Sequence, residues 1–156
     1  MYRIPVCRVM LVRERALASE VKTIRGPADA ASVLQDYLAG ADREHFVALC
    51  LNTRHRVTAI NTVSIGGLSG APVHPREVFK PAILANSAAI ILGHNHPSGD
   101  PEPSSDDQRI TEQLVAAGRI LGIEILDHII VGDDRFLSMR ERGVISAPAR
   151  AEGGHS

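Results

Sequence analysis

Two short runs of apolar residues restrict the folds open to this chain more than any other feature of its sequence. Residues 45–51 and 88–93 are apolar at nearly every consecutive position, so a strand through either run carries apolar side chains on both faces. Such a strand is stable only when both faces are covered, as helices do in α/β proteins. The two runs therefore predict a sheet that lies between layers of helices.

Helices and further strands alternate around these two runs. Pro27 after Gly26 is typical of a helix start, Gly122 is typical of a helix end, and Pro81 must bend the helix that contains it. Pro5 restricts the first strand to a sheet edge or places this proline at the start of the strand. This order predicts an α/β fold with a mixed sheet. The predicted elements are a strand over 3–12, a helix from Gly26-Pro27 to Gly40, a hairpin of strands 45–51 and 57–65, a helix over 75–86, a strand over 88–93, a helix over 106–121, and strands over 123–131 and 136–139.

Length and composition exclude several classes of protein. The 156 residues (16.8 kDa) correspond to one domain that buries roughly 70% of its surface on folding. A hydrophobic content of 44% and a charged content of 22% are typical of a globular chain. Seventeen basic and eighteen acidic side chains give a net charge of −1, and aromatic residues make up only 3%. The composition therefore does not support nucleic-acid binding through a basic or base-stacking surface, and it leaves the oligomeric state open.

Cysteine placement and the N-terminal residues bear on the cellular compartment. Cys7 and Cys50 each lie in an apolar stretch without a CxxC spacing, so we expect both to pack in the core rather than to form disulfides or a zinc knuckle. Pro5 and the charged residues of 8–15 interrupt the apolar run that a signal peptide requires. The longest apolar run, 88–93, is too short to span a bilayer. We therefore expect a cytoplasmic protein that has no contact with membranes.

The segment from Gly93 to Asp107 carries the residues with the clearest chemical potential. His94 and His96 are two residues apart at the end of a predicted strand, so both imidazoles point to the same side. Ser104 and Asp107 have the three-residue spacing of a helix start, which places the carboxylate in the first helical turn. Two imidazoles and one carboxylate are a ligand set of catalytic zinc sites, in which a water takes the fourth position.

Each half of this pattern also has a simpler interpretation. A lone His-x-His is more often a surface pair than a metal site, and Ser104 with Asp107 forms a plain capping box in many helices. The two halves occur together directly after a buried strand, and a purely structural loop has no need to direct two imidazoles at a carboxylate. The combination therefore favours metal binding.

The full pattern of His-x-His, seven residues, Ser, two residues and Asp resembles the JAMM motif of MPN-type metalloproteases. Three longer strings resemble the RadC branch of that family: His-Pro-Arg-Glu-Val at 74–78, Gly-His-Asn-His-Pro-Ser-Gly-Asp-Pro at 93–101 and Leu-Asp-His-Ile-Ile-Val-Gly at 126–132. The likeness implies an MPN domain, a cytidine-deaminase-like mixed sheet flanked by helices, over 26–145. Residues 1–25 are then a strand extension, too short for the helix-hairpin-helix region of longer members, and 146–156 a disordered tail.

The resemblance also implies a role for each residue of the motif. His94, His96 and Asp107 would bind Zn²⁺, and Ser104 would help to stabilise the oxyanion of a tetrahedral intermediate. The family uses a glutamate just before its first core strand as general base, and Glu44 occupies that position. The implied activity is hydrolysis of a peptide or isopeptide bond in a peptide or protein substrate.

The identity of the general base is open on the sequence alone. Glu77 and Glu102 are also near the motif, and Glu44 could be a solvated charge paired with Arg43. In an extended strand Glu44 shares a face with Phe46, so its carboxylate could project into a cleft at the strand's mouth. We therefore predict that Glu44 is the base.

A second function of a different class fits the same residues. A non-catalytic accessory domain for DNA repair or protein interaction would keep the fold and use the metal only for structure, with all four coordination positions closed by protein ligands. Five other histidines have no convergent partners in the sequence. We expect His128 to be satisfied by backbone within a strand, with a supporting role at the metal site as the alternative. The other four, His45, His55, His74 and His155, are expected to be ordinary surface or loop residues.

Overall fold

Three helices and five strands form within residues 1–66 and 73–146, the part of the chain that the computed structural model describes. The strand and helix predictions from residue 26 onward are confirmed, with ends that differ by one or two residues in most cases. The elements are α1 (Pro27–Tyr37), β1 (His45–Leu51), β2 (Val57–Ile65), α2 (Pro75–Leu84), β3 (Ala89–Asn95), α3 (Ser105–Leu121), β4 (Glu124–Val131) and β5 (Phe136–Ser138).

The strands form one mixed sheet in the order β2-β1-β3-β4-β5. β1 pairs antiparallel with β2 and with β3, which confirms the predicted hairpin. β3 runs parallel to β4, and α3 is the crossover between them. β5 closes the sheet antiparallel to β4. The predicted mixed α/β architecture is therefore confirmed.

The sheet has a hydrophobic core on each face, as the doubly apolar strands require. Along β1, Phe46, Ala48 and Cys50 face one core and Val47, Leu49 and Leu51 face the other. The first core contains residues of α2 and α3, and the second contains residues of α1. β3 is buried along its whole length, so the polar residues at its end enter the site from a rigid strand.

The ends of α3 agree with the local sequence signals. Ser104 is the N-cap residue, and Gly122 takes a left-handed conformation with φ 72° at the C-cap. Gly122 suits that position because a residue with a Cβ is strained there. α2 begins at Pro75 and contains Pro81 in its second half, as predicted. Each of these signals depends only on neighbouring residues, so the sequence alone predicts these features of the helices.

The predicted strand over 3–12 is wrong. These residues form no helix or strand, and their side chains are exposed. The first contact of strand type is the bridge from Thr23 to Arg56. A β-branched composition stabilises a strand only when a neighbouring strand and a packing surface are present, and residues 3–12 have neither within the described chain. Cys7 is consequently exposed, contrary to the prediction, whereas Cys50 is buried as predicted.

Two further predictions concern the cellular compartment and the C-terminal tail. Of the helices within the described residues, none has the length and hydropathy that a bilayer crossing requires. The predicted disordered tail, 146–156, falls almost wholly outside the described part of the chain.

Gly118 in α3 provides a test of the packing between α3 and the chain that follows it. A Cβ on Gly118 would collide with the carbonyl oxygen of Ile123 and would lie 3.3 Å from Phe79. Alanine has a helix propensity about 1 kcal/mol better than glycine. We nevertheless expect Gly118→Ala to lower the free energy of unfolding by about 1–3 kcal/mol, because backbone must move.

Urea unfolding measures this change. Ala116→Gly, at an exposed position of the same helix, is the control and should lose only the propensity difference of about 1 kcal/mol. A Gly118→Ala protein more stable than the parent would contradict the packing described.

Candidate metal centre

Three side chains from two elements meet at the end of β3. His94 lies on β3, His96 follows it directly, and Asp107 lies in the first turn of α3. The two Nε2 atoms are 2.9 Å apart, and Asp107 Oδ2 lies 3.4 Å from His94 Nε2 and 3.3 Å from His96 Nε2. The predicted convergence of the two imidazoles and the carboxylate is therefore confirmed.

These separations fit a shared metal ion. Ligand atoms bound at 2.0–2.2 Å to a tetrahedral zinc ion are about 3.3–3.6 Å from one another. The two distances from Asp107 Oδ2 match this range, and the 2.9 Å between the Nε2 atoms is shorter. His94 and Asp107 are almost completely buried and His96 is half-buried. Two imidazole nitrogens and one carboxylate oxygen are common ligands of metal ions in proteins. The group could hold a metal ion.

The outer nitrogen of each imidazole also has a hydrogen-bond partner. His96 Nδ1 lies 2.8 Å from the carbonyl oxygen of Asp100, and His94 Nδ1 lies 2.7 Å from Nε2 of His128. A carbonyl oxygen only accepts, so the hydrogen of His96 is on Nδ1 when this bond forms. Nε2 of His96, which faces Asp107, is therefore the nitrogen that a metal would bind.

Asp107 caps α3 and faces the imidazoles at the same time. Its Oδ2 accepts a hydrogen bond from Ser104 N–H (2.9 Å), and its own N–H donates to Ser104 Oγ (3.0 Å). Burial alone would raise the pKa of Asp107, but hydrogen bonds from His94, His96 and Ser104 N–H hold it well below its usual range. The capping box and the ligand set are therefore one arrangement rather than alternatives.

Glu44 lies beside this group because of the register between β1 and β3. Phe46 pairs with His94 in the outermost pair of β1 and β3, and the same register continued by two residues places Glu44 level with His96 and on the same face of the sheet. Glu44 is half-buried, and its charge adds to the effect of Asp107, whose hydrogen bond is the main cause of the raised pKa of His96.

The side chain of Asn95 holds the segment that carries Glu44. Asn95 Oδ1 accepts from His45 N–H (2.7 Å), and Asn95 Nδ2 donates to the carbonyl oxygen of Arg43 (2.9 Å). Asn95 points away from the two histidines, as the strand alternation predicts. Its amide continues the pairing of β3 with β1 past the last backbone pair, and it thereby fixes the backbone on both sides of Glu44.

The other two candidate bases are engaged elsewhere. Glu77 pairs with Lys80 at 3.2 Å on the exposed surface of α2. Glu102 forms a two-pronged ion pair with Arg142, with distances of 2.8 and 2.6 Å. Both carboxylates already have a cationic partner in solvent, which favours Glu44 among the three.

The expectation that backbone groups satisfy the ring of His128 is wrong. His128 is fully buried, and both ring nitrogens bond to side chains instead of backbone: Nε2 to His94 Nδ1, and Nδ1 to Thr111 Oγ1 at 2.5 Å. Thr111 was not among the predicted residues. Its position one turn after Asp107 on α3 was the signal, since residues four apart share a helix face.

A groove opens beside the group of histidines. Its volume is about 780 Å³, and it extends from His96 and Asn95 along the end of α1 to the turn after β4. The groove is lined in addition by Gln35, Leu38, Ala39, Gly40, Ala41, Asp42, Pro97, Val131, Gly132, Asp133 and Asp134. Of the three converging residues, His96 lines this groove.

Comparisons with known proteins agree with this geometry. The family model described as a RadC-like JAB domain matches residues 24–144. A UPF0758 protein of Moorella thermoacetica is 53% identical over 122 residues, which are 78% of this chain and 53% of that protein. UPF0758 proteins of Desulforamulus reducens (49% over 134 residues; 85% and 59%) and Shouchella clausii (51% over 133 residues; 83% and 58%) are similar. The chain spans just over half the length of these curated relatives.

The interaction between His96 and Asp107 provides a test in the metal-free protein. We expect Asp107→Asn to lower the pKa of His96 towards its ordinary value of about 6.5, because the main cause of the raised pKa is removed. Asp106→Asn is the control, since Asp106 is exposed and pairs with Arg109. Proton NMR titration of the ring measures both, and an unchanged pKa in Asp107→Asn would contradict the described contact.

The same contact predicts how stability depends on pH. A raised folded-state pKa of His96 stabilises the metal-free protein fully below the unfolded pKa of about 6.5, and this contribution is lost as the pH rises through the folded value. The lowered pKa of Asp107 contributes above about pH 4 and is lost in strong acid. The stability difference between the parent and Asp107→Asn should therefore be larger at pH 5 than at pH 9 in urea unfolding.

Proposed function

We propose, from the premise that this chain belongs to the RadC-like JAB domain family, that it is a zinc-dependent hydrolase of peptide or isopeptide bonds. The observation that carries the proposal is the convergence of His94, His96 and Asp107 at distances suited to one ion, with Glu44 next to them. We also propose that the protein is cytoplasmic and that its substrate is a peptide or a protein.

His94, His96 and Asp107 would hold the metal. Zinc suits them because it accepts imidazole and carboxylate together and keeps a position open in sites with three protein ligands. Bound there, zinc would supply a water whose pKa is near 7 rather than about 15.7 and would polarise the substrate carbonyl. The burial of His94 and Asp107 favours this chemistry, since electrostatic interactions are stronger where water is excluded.

Glu44 would transfer the protons. Its position level with His96 suits a carboxylate that takes a proton from the attacking water and later gives it to the leaving amine. The hydrogen bonds of Asn95 to both neighbours of Glu44 limit the movement of that carboxylate. A fixed base is more effective because correct orientation is already present before the reaction.

Ser104 would stabilise the charge that develops on the substrate oxygen. Its Oγ accepts from Asp107 N–H, which leaves its own O–H free to donate, and the side chain is exposed. One donor of this kind contributes about 3–4 kcal/mol to the stability of the transition state. The cap therefore directs the hydroxyl as well as the carboxylate.

A groove of about 780 Å³ borders His96, and its volume is in the range of pockets that bind ligands. Because the chain spans only part of the length of its relatives, its natural substrate and partners are part of the proposal rather than properties of the family.

Removal of the base and removal of a ligand should have different effects. We expect Glu44→Gln to bind zinc like the parent and to lose turnover by about 10²–10⁴-fold, and Asp107→Ala to lose both zinc and turnover. Elemental analysis measures zinc, and chelator-sensitive cleavage of a fluorogenic peptide library measures turnover.

Glu77→Gln and Glu102→Gln are the matched controls and should keep parent turnover. Full turnover in Glu44→Gln would contradict the proposed base, and full zinc in Asp107→Ala would contradict the ligand set. A parent protein that binds zinc and cleaves no amide bond would support the accessory role with a structural metal.

Asn95 provides a further prediction. We expect Asn95→Ala to bind zinc normally and to reduce kcat by about 10–100-fold, because the segment that carries Glu44 loses both hydrogen bonds. Asn95→Asp, which retains the acceptor for His45 N–H, should lose less. Equal kcat in the parent and in Asn95→Ala would show that the two hydrogen bonds of Asn95 do not position Glu44.

A further inference from the structure

We propose that His128 and Thr111 are positioning residues that fix the tautomer of His94, so that its Nε2 lone pair faces the metal. The proposal rests on metal binding in the proposed function and not on hydrolysis. It assigns a role to two buried side chains that would otherwise only fill the space between β3, β4 and α3.

A continuous chain of hydrogen bonds joins two of the three ligand residues. His94 Nδ1 lies 2.7 Å from His128 Nε2, His128 Nδ1 lies 2.5 Å from Thr111 Oγ1, and Thr111 Oγ1 lies 2.7 Å from the carbonyl oxygen of Asp107. All four residues are buried. The chain therefore begins at the ring of one ligand and ends at the backbone of another.

The Asp107 carbonyl, at the end of these hydrogen bonds, determines which group donates and which accepts in each of them. The Asp107 carbonyl has no hydrogen, so Thr111 donates to it, and Met139 Sδ, 3.3 Å from that hydroxyl, does not donate either. Thr111 Oγ1 must then accept from His128 Nδ1. His128 is fully buried, and its ring nitrogens bond to Thr111 and His94 rather than to a carboxylate, so its ring is neutral and Nε2 accepts.

These hydrogen bonds determine which ring nitrogen of His94 faces His128 with a hydrogen. Since His128 Nε2 accepts, His94 Nδ1 carries a hydrogen, and His94 Nε2, which faces Asp107 and His96, is the nitrogen that a metal would bind. Phe46 stacks on the His94 ring at 6.0 Å between centroids and meets His128 edge-on at 5.3 Å, which restricts the rotation of both rings. The orientation that a metal needs is therefore present before the metal binds.

The test compares a pair of substitutions at Thr111. Thr111→Val has nearly the same shape and lacks the hydroxyl, whereas Thr111→Ser keeps it. We expect Thr111→Val to weaken zinc binding by about 10-fold, Thr111→Ser to stay within about 2-fold of the parent, and His128→Leu to lose about 10–100-fold. Competition with a chromophoric chelator measures zinc affinity, and the visible spectrum of the cobalt-loaded protein reports the coordination geometry.

Two controls separate positioning from folding. Thr58→Val removes a hydroxyl that donates to the Cys50 carbonyl on another part of the sheet and should not change zinc affinity. Urea unfolding of each metal-free variant shows whether the fold is retained. Nitrogen-resolved NMR of the zinc-loaded parent should place the His94 hydrogen on Nδ1.

The outcomes distinguish this proposal from the proposed function. Equal zinc affinity in the parent, Thr111→Val and Thr58→Val overturns the positioning role, as does a hydrogen on His94 Nε2. A parent that binds no zinc overturns both proposals. A parent that binds zinc, loses affinity in Thr111→Val with recovery in Thr111→Ser, and cleaves no amide bond supports the positioning role and overturns only the hydrolase.

Discussion

The carboxylate of Asp107 is the group on which the site depends, because a buried carboxylate is stable only when several donors surround it. Ser104 N–H, which belongs to the cap of α3, is one donor, and the imidazoles of His94 and His96 approach the same oxygen. The start of α3 is therefore tied to the end of β3. A metal cation bound here would replace the imidazole hydrogens as the positive groups that face the Asp107 carboxylate.

The strands fix the remaining geometry. β3 is central in the sheet, antiparallel to β1 and parallel to β4, and is buried throughout. β1 brings Glu44 level with His96, and β4 brings His128 behind His94. Each neighbour of β3 thus contributes one residue that lies against a ligand. His94 and His128 lie on strands and Asp107 lies on a helix, so this part of the site has little freedom to rearrange.

Local signals made much of this predictable. Gly26-Pro27, Ser104, Gly122 and the doubly apolar strands predicted nearly all of the elements from residue 26 onward. The segment 3–12 was predicted wrongly, because its composition suits a strand but no described strand lies beside it. His94, His96 and Asp107 were predicted because each half of the group has a local spacing, whereas Glu44 depended on resemblance to a family.

The sequence by itself determined the α/β class, the two-sided burial of the inner strands and the ligand group, because these follow from spacings of two to four residues and from runs of apolar side chains. Only the tertiary structure decided the support around that group. The bonds of His94 to His128, of His128 to Thr111 and of Asn95 to His45 join residues 34, 17 and 50 positions apart. Contacts over such separations arise from strand register and helix placement, which no local pattern records.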